Sequence, residues 1–302
     1  MRITVLAFAA AGLIAACPAR AQSDRAPEEV RTAFVSDTAT GSPSNATTSV
    51  SATTVPQAME RVDDDGDAFS LSLGALFAQG DFGTDANTEI RSVALGARLR
   101  MGDWRLSASL PWMRIRSDAS LFTGIDSTPV LVAPGSQATR TTNDGIGDLT
   151  LGAAYTFEPT DSALELELSG RVKLNTASRS SGLSSGETDW AVGAQVAHPI
   201  GRVAPFVSVT YRMLGDPAAF RLRDGFAASA GASAEVAPRT LILASYHYSE
   251  AATGLVEDSH ELFAGASTGL GDSGLRFTGF ATAGLSRGAA GLSAGLALSK
   301  AF

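Results

Sequence analysis

The feature that most constrains this chain is a period-two alternation of apolar and polar side chains from about residue 67 to its end. In the segment ALELELSGRVKLN, Leu164, Leu166 and Leu168 alternate with Glu165 and Glu167. Side chains two residues apart share one face of a β-strand, so each such segment has an apolar and a polar face. The alternation predicts strands near 68–79, 88–101, 103–117, 145–157, 163–175, 187–199, 203–214, 225–236, 239–249, 259–270, 275–285 and 290–302.

The connections between these segments alternate between short and mostly longer ones. The short joints lie around Gly102 and at 158–162, 200–202, 237–238 and 271–274, and the others at 80–87, 118–144, 176–186, 215–224, 250–258 and 286–289. Transmembrane β-barrels have short periplasmic turns and longer external loops. No later segment has the ~20 consecutive apolar residues of a membrane-spanning helix. We therefore predict an all-β fold, a transmembrane antiparallel up-and-down β-barrel of about 12 strands over residues 67–302.

The aromatic residues predict where the membrane interfaces lie. Trp104 and Trp112 share one strand face, and their separation of about 26 Å along the strand suits an apolar band between two aromatic girdles. The alternative is that the aromatics pack a soluble core. The expected girdle is Phe69, Phe77, Trp104, Trp112, Tyr155, Phe157, Trp190, Tyr211, Tyr248 and Phe302. Tyr155, Phe157 and Phe302 belong to the periplasmic ends of strands, and Trp190, Tyr211 and Tyr248 to the outer ends. A closing strand that ends on Phe302 also resembles the signal that the barrel insertion machinery reads, so this machinery is an expected partner.

The first residues have the pattern of an export signal. Arg2 precedes a short apolar run, and Ala19-Arg20-Ala21 forms an A-x-A cleavage site, so residues 1–21 are predicted to be a signal peptide. Cys17 leaves an alternative open, because the sequence before it also resembles a lipoprotein signal. Residues 22–66 are rich in Ser, Thr, Ala and Asp and are predicted to be a low-complexity flexible periplasmic leader, either a tether or a plug.

Composition and motifs exclude several function classes. The net charge of −8 provides no basic patch, which argues against nucleic acid as a partner. No GxSxG, HExxH or Cys/His metal spacing occurs, so we expect no enzyme, no catalytic residue, no metal and no cofactor. The arrangement closest to a hydrolase is His247 beside Ser245 and Ser249.

If the apolar positions face lipid, the opposite parity lines the barrel lumen. The two interpretations left open are a size and charge filter in a small pore and a salt-bridged network that plugs a closed barrel. Phe206, Phe263 and Phe280 share this parity and could form an apolar slide or fill space. Pro111 predicts a bulge or an edge at the third strand. The lumen-lining candidates are Arg98, Arg100, Arg105, Asp148, Glu165, Glu167, Arg171, Lys173, Glu187, Asp189, Gln195, Arg212, Glu235, Glu261 and Arg276.

Three segments, GIGDLTLGAAYTF, GETDWAVGAQVAHPIGRVAPFVSVTYRMLGDP and EDSHELFAG, together carry a family resemblance. The chain resembles the outer-membrane transporter-like family named for the meta-pathway of phenol degradation, over most of 67–302. The resemblance implies an outer-membrane barrel, sometimes encoded beside aromatic catabolism. We expect a channel in the outer membrane of a Gram-negative bacterium, for passive passage of small solutes, with hydrophobic or aromatic compounds as candidates. The alternatives are a non-conducting structural barrel and an outer-membrane hydrolase.

Overall fold

The computed structural model describes residues 68–83, 87–117, 120–125, 129–133, 141–159, 163–178, 181–217 and 221–302. The predicted signal peptide (1–21) and leader (22–66) lie outside the described residues. The described residues contain no helix of the length and apolarity needed to cross a membrane.

All the regular structure of the described residues is β-strand, as the alternation predicts. The strands are β1 (Ala68–Gly80), β2 (Thr88–Met101), β3 (Trp104–Ser117), β4 (Ser120–Thr123), β5 (Pro129–Ala133), β6 (Thr141–Ile146), β7 (Leu149–Phe157), β8 (Glu165–Leu174), β9 (Asp189–Ala197), β10 (Val203–Met213), β11 (Gly225–Ala237), β12 (Thr240–Ser249), β13 (Ser259–Gly269), β14 (Leu275–Gly284) and β15 (Leu292–Ala301).

These strands close into one antiparallel barrel. Thirteen of them form a single sheet, and β1 pairs with β15 to close the ring. Strands that follow each other in the chain pair throughout this sheet, except that β6 and β7 both pair with β3 and not with each other. Because β6 and β7 lie end to end along β3, they count as one interrupted barrel strand, which gives a barrel of twelve strands. The predicted fold and strand number are confirmed. Closure matters because the pairing of β1 with β15 leaves no open seam in the ring, although β6 pairs with β3 alone among the described strands.

Pro111 causes the interruption between β6 and β7. β3 itself runs unbroken through Pro111 and stays paired with β2. On its other side, β3 pairs with β7 up to Ser109 and with β6 from Trp112 onward. The Pro111 carbonyl accepts the Gly147 N–H at 2.8 Å, whereas its nitrogen has no hydrogen to donate. The predicted irregularity therefore lies in the partner strand, at Gly147–Asp148.

The two ends of the barrel differ in their connections. We call "turn end" the end with the connections 102–103, 158–164, 198–202, 238–239 and 270–274, and "loop end" the opposite end. The sequence predicts a connection at 118–144, but this stretch contains the β4–β5 hairpin and the first residues of β6 (Thr141–Ile146). Thr123 of this hairpin bonds the Leu183 carbonyl through both its N–H (3.1 Å) and its hydroxyl (2.8 Å). The hairpin is thereby joined to the 175–188 connection at the loop end.

Burial alternates along the barrel strands, and the exposed set is apolar. Leu73, Leu95, Val207 and Leu296 are among many large apolar side chains that remain exposed on the outer wall. The intervening positions face the barrel interior and are largely buried. The core therefore sits inside the barrel, and the outer wall has the exposed apolar surface that a water-soluble protein avoids.

Candidate functional site: the barrel interior

The barrel interior contains an ionic cluster near the loop end. Lys173 of β8 is 2% exposed, and its Nζ lies 2.8 Å from Asp148 Oδ2 and 3.3 Å from Asp189 Oδ2. Cross-strand pairing places Asp189 directly beside Lys173, and the interruption caused by Pro111 places Asp148 on the other side. The same Nζ donates to the Glu187 carbonyl at 3.1 Å. The buried cation therefore has two buried carboxylates as ion-pair partners, since a buried charge requires a partner.

Asp148 also fastens the 175–188 connection to the barrel wall. Its Oδ1 accepts the N–H groups of Thr176 (3.0 Å) and Ala177 (2.9 Å), and its Oδ2 accepts the Ser184 hydroxyl. Next to these bonds Leu183 inserts inward and is 0% exposed. It joins the interior apolar cluster that includes Ile90 and Met113. This connection therefore folds into the loop end of the barrel.

A second ion pair lies nearer the turn end. Arg105 donates to Glu167 Oε2 at 2.6 Å. Arg98 and Arg100, on the neighbouring strand β2, are only half-buried. Arg100 pairs directly across from Arg105 in the β2–β3 register. Three arginines therefore share this part of the inner wall with the Glu167 carboxylate.

The interior also has an apolar part formed by aromatic rings. Phe263 and Phe280 stack with their ring centroids 5.6 Å apart, and Phe206 belongs to the same buried cluster. Leu76 and Leu243 extend the cluster to other strands. Apolar and ionic side chains thus lie side by side within one barrel.

His247 and Ser245 form the hydrogen bond that a nucleophile and its base would need. Ser245 Oγ lies 2.7 Å from His247 Nε2, and both residues are buried. Glu261 occupies the position paired with His247 across the β12–β13 ladder. His247 also contacts the Phe263 ring edge-on, at 6.0 Å between centroids. A serine hydroxyl and a histidine ring are therefore in contact, and a glutamate lies at the paired position of the adjoining strand.

The remaining candidates take different positions. Glu165 is buried, and Arg276 is buried with its Nη1 3.2 Å from Ser267 Oγ. Arg171, Glu235 and Glu261 are half-buried. Glu187 contacts the ionic cluster only through its backbone carbonyl.

Sequence reasoning omitted several interior polar residues that the parity rule could have found. Ser208 and Ser229 join hydroxyls at 2.6 Å, and Ser208 shares parity with Phe206 and Arg212 on β10. Leu183 had no such signal, because it lies in a connection without a strand period.

The predicted girdle residues all lie on the outward face, exposed or half-buried. At the turn end, Trp104 and Phe157 both contact the Tyr155 ring, with centroids 5.0 and 4.5 Å away. Phe69 and Phe302 meet across the closing seam at 6.2 Å. The Trp and Tyr rings combine an apolar body with a polar group, as residues at membrane interfaces do.

Each girdle tyrosine donates its hydroxyl to an aspartate outside the strands. Tyr155 reaches Asp103 at 3.0 Å at the turn end, and Tyr248 reaches Asp258 at 2.8 Å at the loop end. The Ala251 N–H and the Tyr248 hydroxyl both stabilise ionised Asp258, which lowers the pKa of this carboxyl.

Among the residues that the structure describes, no group of three or more His, Cys, Asp or Glu side chains could hold a metal ion.

No protein-family model matches the chain, and no curated protein matches it. Solved structures do match. An outer membrane channel from Pseudomonas putida F1 has a TM-score of 0.63 at 14% identity, covering 82% of this chain and 100% of that chain. The translocator domain of the autotransporter NalP from Neisseria meningitidis has a TM-score of 0.49 at 11% identity, covering 82% and 91%. The KdgM porin has a TM-score of 0.46 at 8% identity, covering 77% and 99%.

At such low identity, the likeness to the Pseudomonas channel concerns the fold alone. It agrees with the strand pairing, and together they define the class: a closed, twelve-stranded antiparallel β-barrel of the kind found in bacterial outer membranes. The narrower resemblance to the family named for phenol degradation has no match among the family models and stays a prediction.

Proposed function

We propose that the protein is an outer-membrane channel for passive passage of small solutes, with hydrophobic or aromatic compounds as its candidate cargo. The observation that carries the proposal is the mixed interior, where the stacked Phe263 and Phe280 rings lie in the same barrel as the Lys173 and Arg105 ion pairs. A solute with an apolar body and a polar group would find a partner for each part. The resemblance to the phenol-degradation family supports the aromatic class.

The membrane location rests on the outer wall. Its exposed apolar side chains would lie in hydrocarbon, and the girdle tyrosines would place their hydroxyls in the two interfaces. In this arrangement the turn end faces the periplasm together with the 22–66 leader. Phe302, directly after the closing strand β15, would be recognised by the barrel insertion machinery.

In this proposal the 175–188 connection limits passage at the loop end. Leu183 is fully buried and Asp148 bonds the same connection, so the connection fills part of this end. The same observation favours a second candidate, a structural barrel that does not conduct. Removing the obstruction separates the two functions.

The test is planar-bilayer conductance of folded, signal-free protein, with heat-modifiable gel migration as the folding control. A channel gives discrete current steps in the parent protein. The steps should become larger when residues 178–186 are replaced by a short Gly-Ser bridge. They should stay unchanged in the control, in which residues 271–273 at the turn end are replaced. Benzoate should block the current at lower concentration than acetate, and Phe263→Ala should reduce this preference. Folded parent and loop-replaced proteins that both lack steps would leave the structural role.

The leader can be tested in the same bilayers. Deleting residues 23–64 raises the conductance if the leader plugs the lumen and leaves it unchanged if the leader is a tether.

The hydrolase alternative rests on the Ser245–His247 hydrogen bond. It predicts lipid or peptide turnover that Ser245→Ala and His247→Ala both abolish. We propose that the protein catalyses no reaction, and turnover lost in both variants would contradict this.

A further inference from the structure

The interior cations differ in how their charge is balanced. Lys173 has two carboxylates within 3.3 Å and Arg105 has one at 2.6 Å. Arg212 of β10 is 6% exposed, and its hydrogen bond is to a neutral group, the Glu250 carbonyl, at 2.7 Å. Its Nε is buried and makes no hydrogen bond to any residue that the structure describes.

The carboxylates around Arg212 are engaged elsewhere or lie apart from it. Asp189, on the neighbouring strand, binds Lys173 at 3.3 Å and the Gly215 N–H at 3.0 Å. Glu250 Oε2 accepts the Phe226 N–H at 2.8 Å. Glu257 shares a pocket with Arg212 but is exposed and forms no ion pair with it. Arg212 thus forms no ion pair with a carboxylate of the described residues, a costly arrangement for a buried guanidinium.

Arg212 lines a small pocket at the loop end that is open to solvent. The pocket wall combines this guanidinium with the residues Glu250 and Glu257 and with the apolar residues Ile125, Val130, Leu214 and Val256. Two residues deeper on the same strand face, the buried Thr210 hydroxyl also has no hydrogen-bond partner in the described structure. A ligand in the pocket would therefore meet the Arg212 guanidinium and an apolar wall, with the Glu250 and Glu257 residues at other points of the lining.

We propose that this pocket binds a small organic monocarboxylate with an apolar body, whose carboxylate pairs with Arg212. A guanidinium and a carboxylate match in geometry and form strong charge-assisted hydrogen bonds. The ligand carboxylate would supply the ion-pair partner that Arg212 does not have among the described residues. The inference rests on the proposed channel function and specifies the charge of the solute that enters at the loop end.

The test is isothermal titration calorimetry on the folded, full-length mature chain in detergent. Sodium benzoate is the probe, and benzyl alcohol is its uncharged counterpart. We expect saturable benzoate binding that weakens at least tenfold in Arg212→Gln, with benzyl alcohol binding at least tenfold more weakly than benzoate. Arg223→Gln is the matched control, because Arg223 is an exposed loop-end arginine that donates to the Thr253 carbonyl at 2.6 Å. This control should bind benzoate as the parent does.

Equal benzoate binding by the parent and Arg212→Gln, or no binding by the parent, would overturn the site. If Arg212→Gln fails the heat-modifiable migration control, Arg212→Lys decides, since it keeps the charge and loses the planar fork. It should bind benzoate more weakly than the parent, and unchanged affinity would also contradict the site. Bilayer conductance keeps the two proposals separate. Channel steps without Arg212-dependent binding contradict the site alone, and Arg212-dependent binding without channel steps contradicts the channel alone.

Discussion

Replacing Lys173 by Met removes the cation from the most buried ionic cluster. The side chains of Lys173, Asp148 and Asp189 are 2%, 4% and 1% exposed, so the variant leaves two carboxylates buried without their cation. Removing one partner of a buried ion pair costs about 3–5 kcal/mol. We expect the free energy of unfolding to fall by this amount at neutral pH. The loss should be smaller in acid, where the orphaned carboxylates can take up protons.

The assay is urea unfolding of protein folded into lipid vesicles, followed by tryptophan fluorescence. Trp190 adjoins Asp189 and reports directly on this wall of the barrel. The matched control is Arg239→Met, which removes an exposed ion pair with Asp272 (44% and 93% exposed side chains). Such a pair contributes about 0–1 kcal/mol. Adding Asp189→Asn to Lys173→Met should recover part of the loss. A Lys173→Met cost below about 1 kcal/mol would refute the role of charge matching.

Three further perturbations test other parts of the barrel. Leu183→Ala should lower the free energy of unfolding by about 2–5 kcal/mol, because Leu183 is fully buried. The control Leu255→Ala, at an exposed loop position, should change the free energy of unfolding little. Equal effects of the two substitutions in urea titrations would contradict the insertion of Leu183. Asp258→Asn should destabilise the protein at pH values above the pKa of an unfolded aspartate, about 3.9. This destabilisation should be lost as the pH falls through the lowered pKa of folded Asp258. A difference in stability between parent and variant that stays constant from neutral pH to acid would refute the stabilisation of ionised Asp258. Phe302→Ala should slow assembly by the purified insertion machinery and leave unassisted folding into thin vesicles nearly unchanged. The ring is exposed, and its contacts are with Phe69 across the seam and with Lys300 of the same strand. Equal assisted rates would argue against a role in insertion.

The ionic cluster illustrates which site features the sequence could predict. Parity placed Asp148, Lys173 and Asp189 among the inward-facing candidates, because a period of two assigns each residue to one face. It could not bring them together. Their contact depends on the register of β8 against β9 and on the break that Pro111 causes between β6 and β7. The absence of an ion pair at Arg212 was also unpredictable, because it depends on which groups the neighbouring carboxylates bond.

The sequence by itself determined the twelve barrel strands, their inward and outward faces and the outward position of the girdle residues. These features follow from the local alternation of apolar and polar side chains and from the spacing of turns. Only the tertiary structure decided how the interior is filled. The 175–188 connection has no strand period, yet Leu183 enters the barrel and Thr123 of the β4–β5 hairpin bonds its carbonyl. Such contacts join residues far apart in the chain, so they depend on barrel closure and strand register rather than on any local pattern.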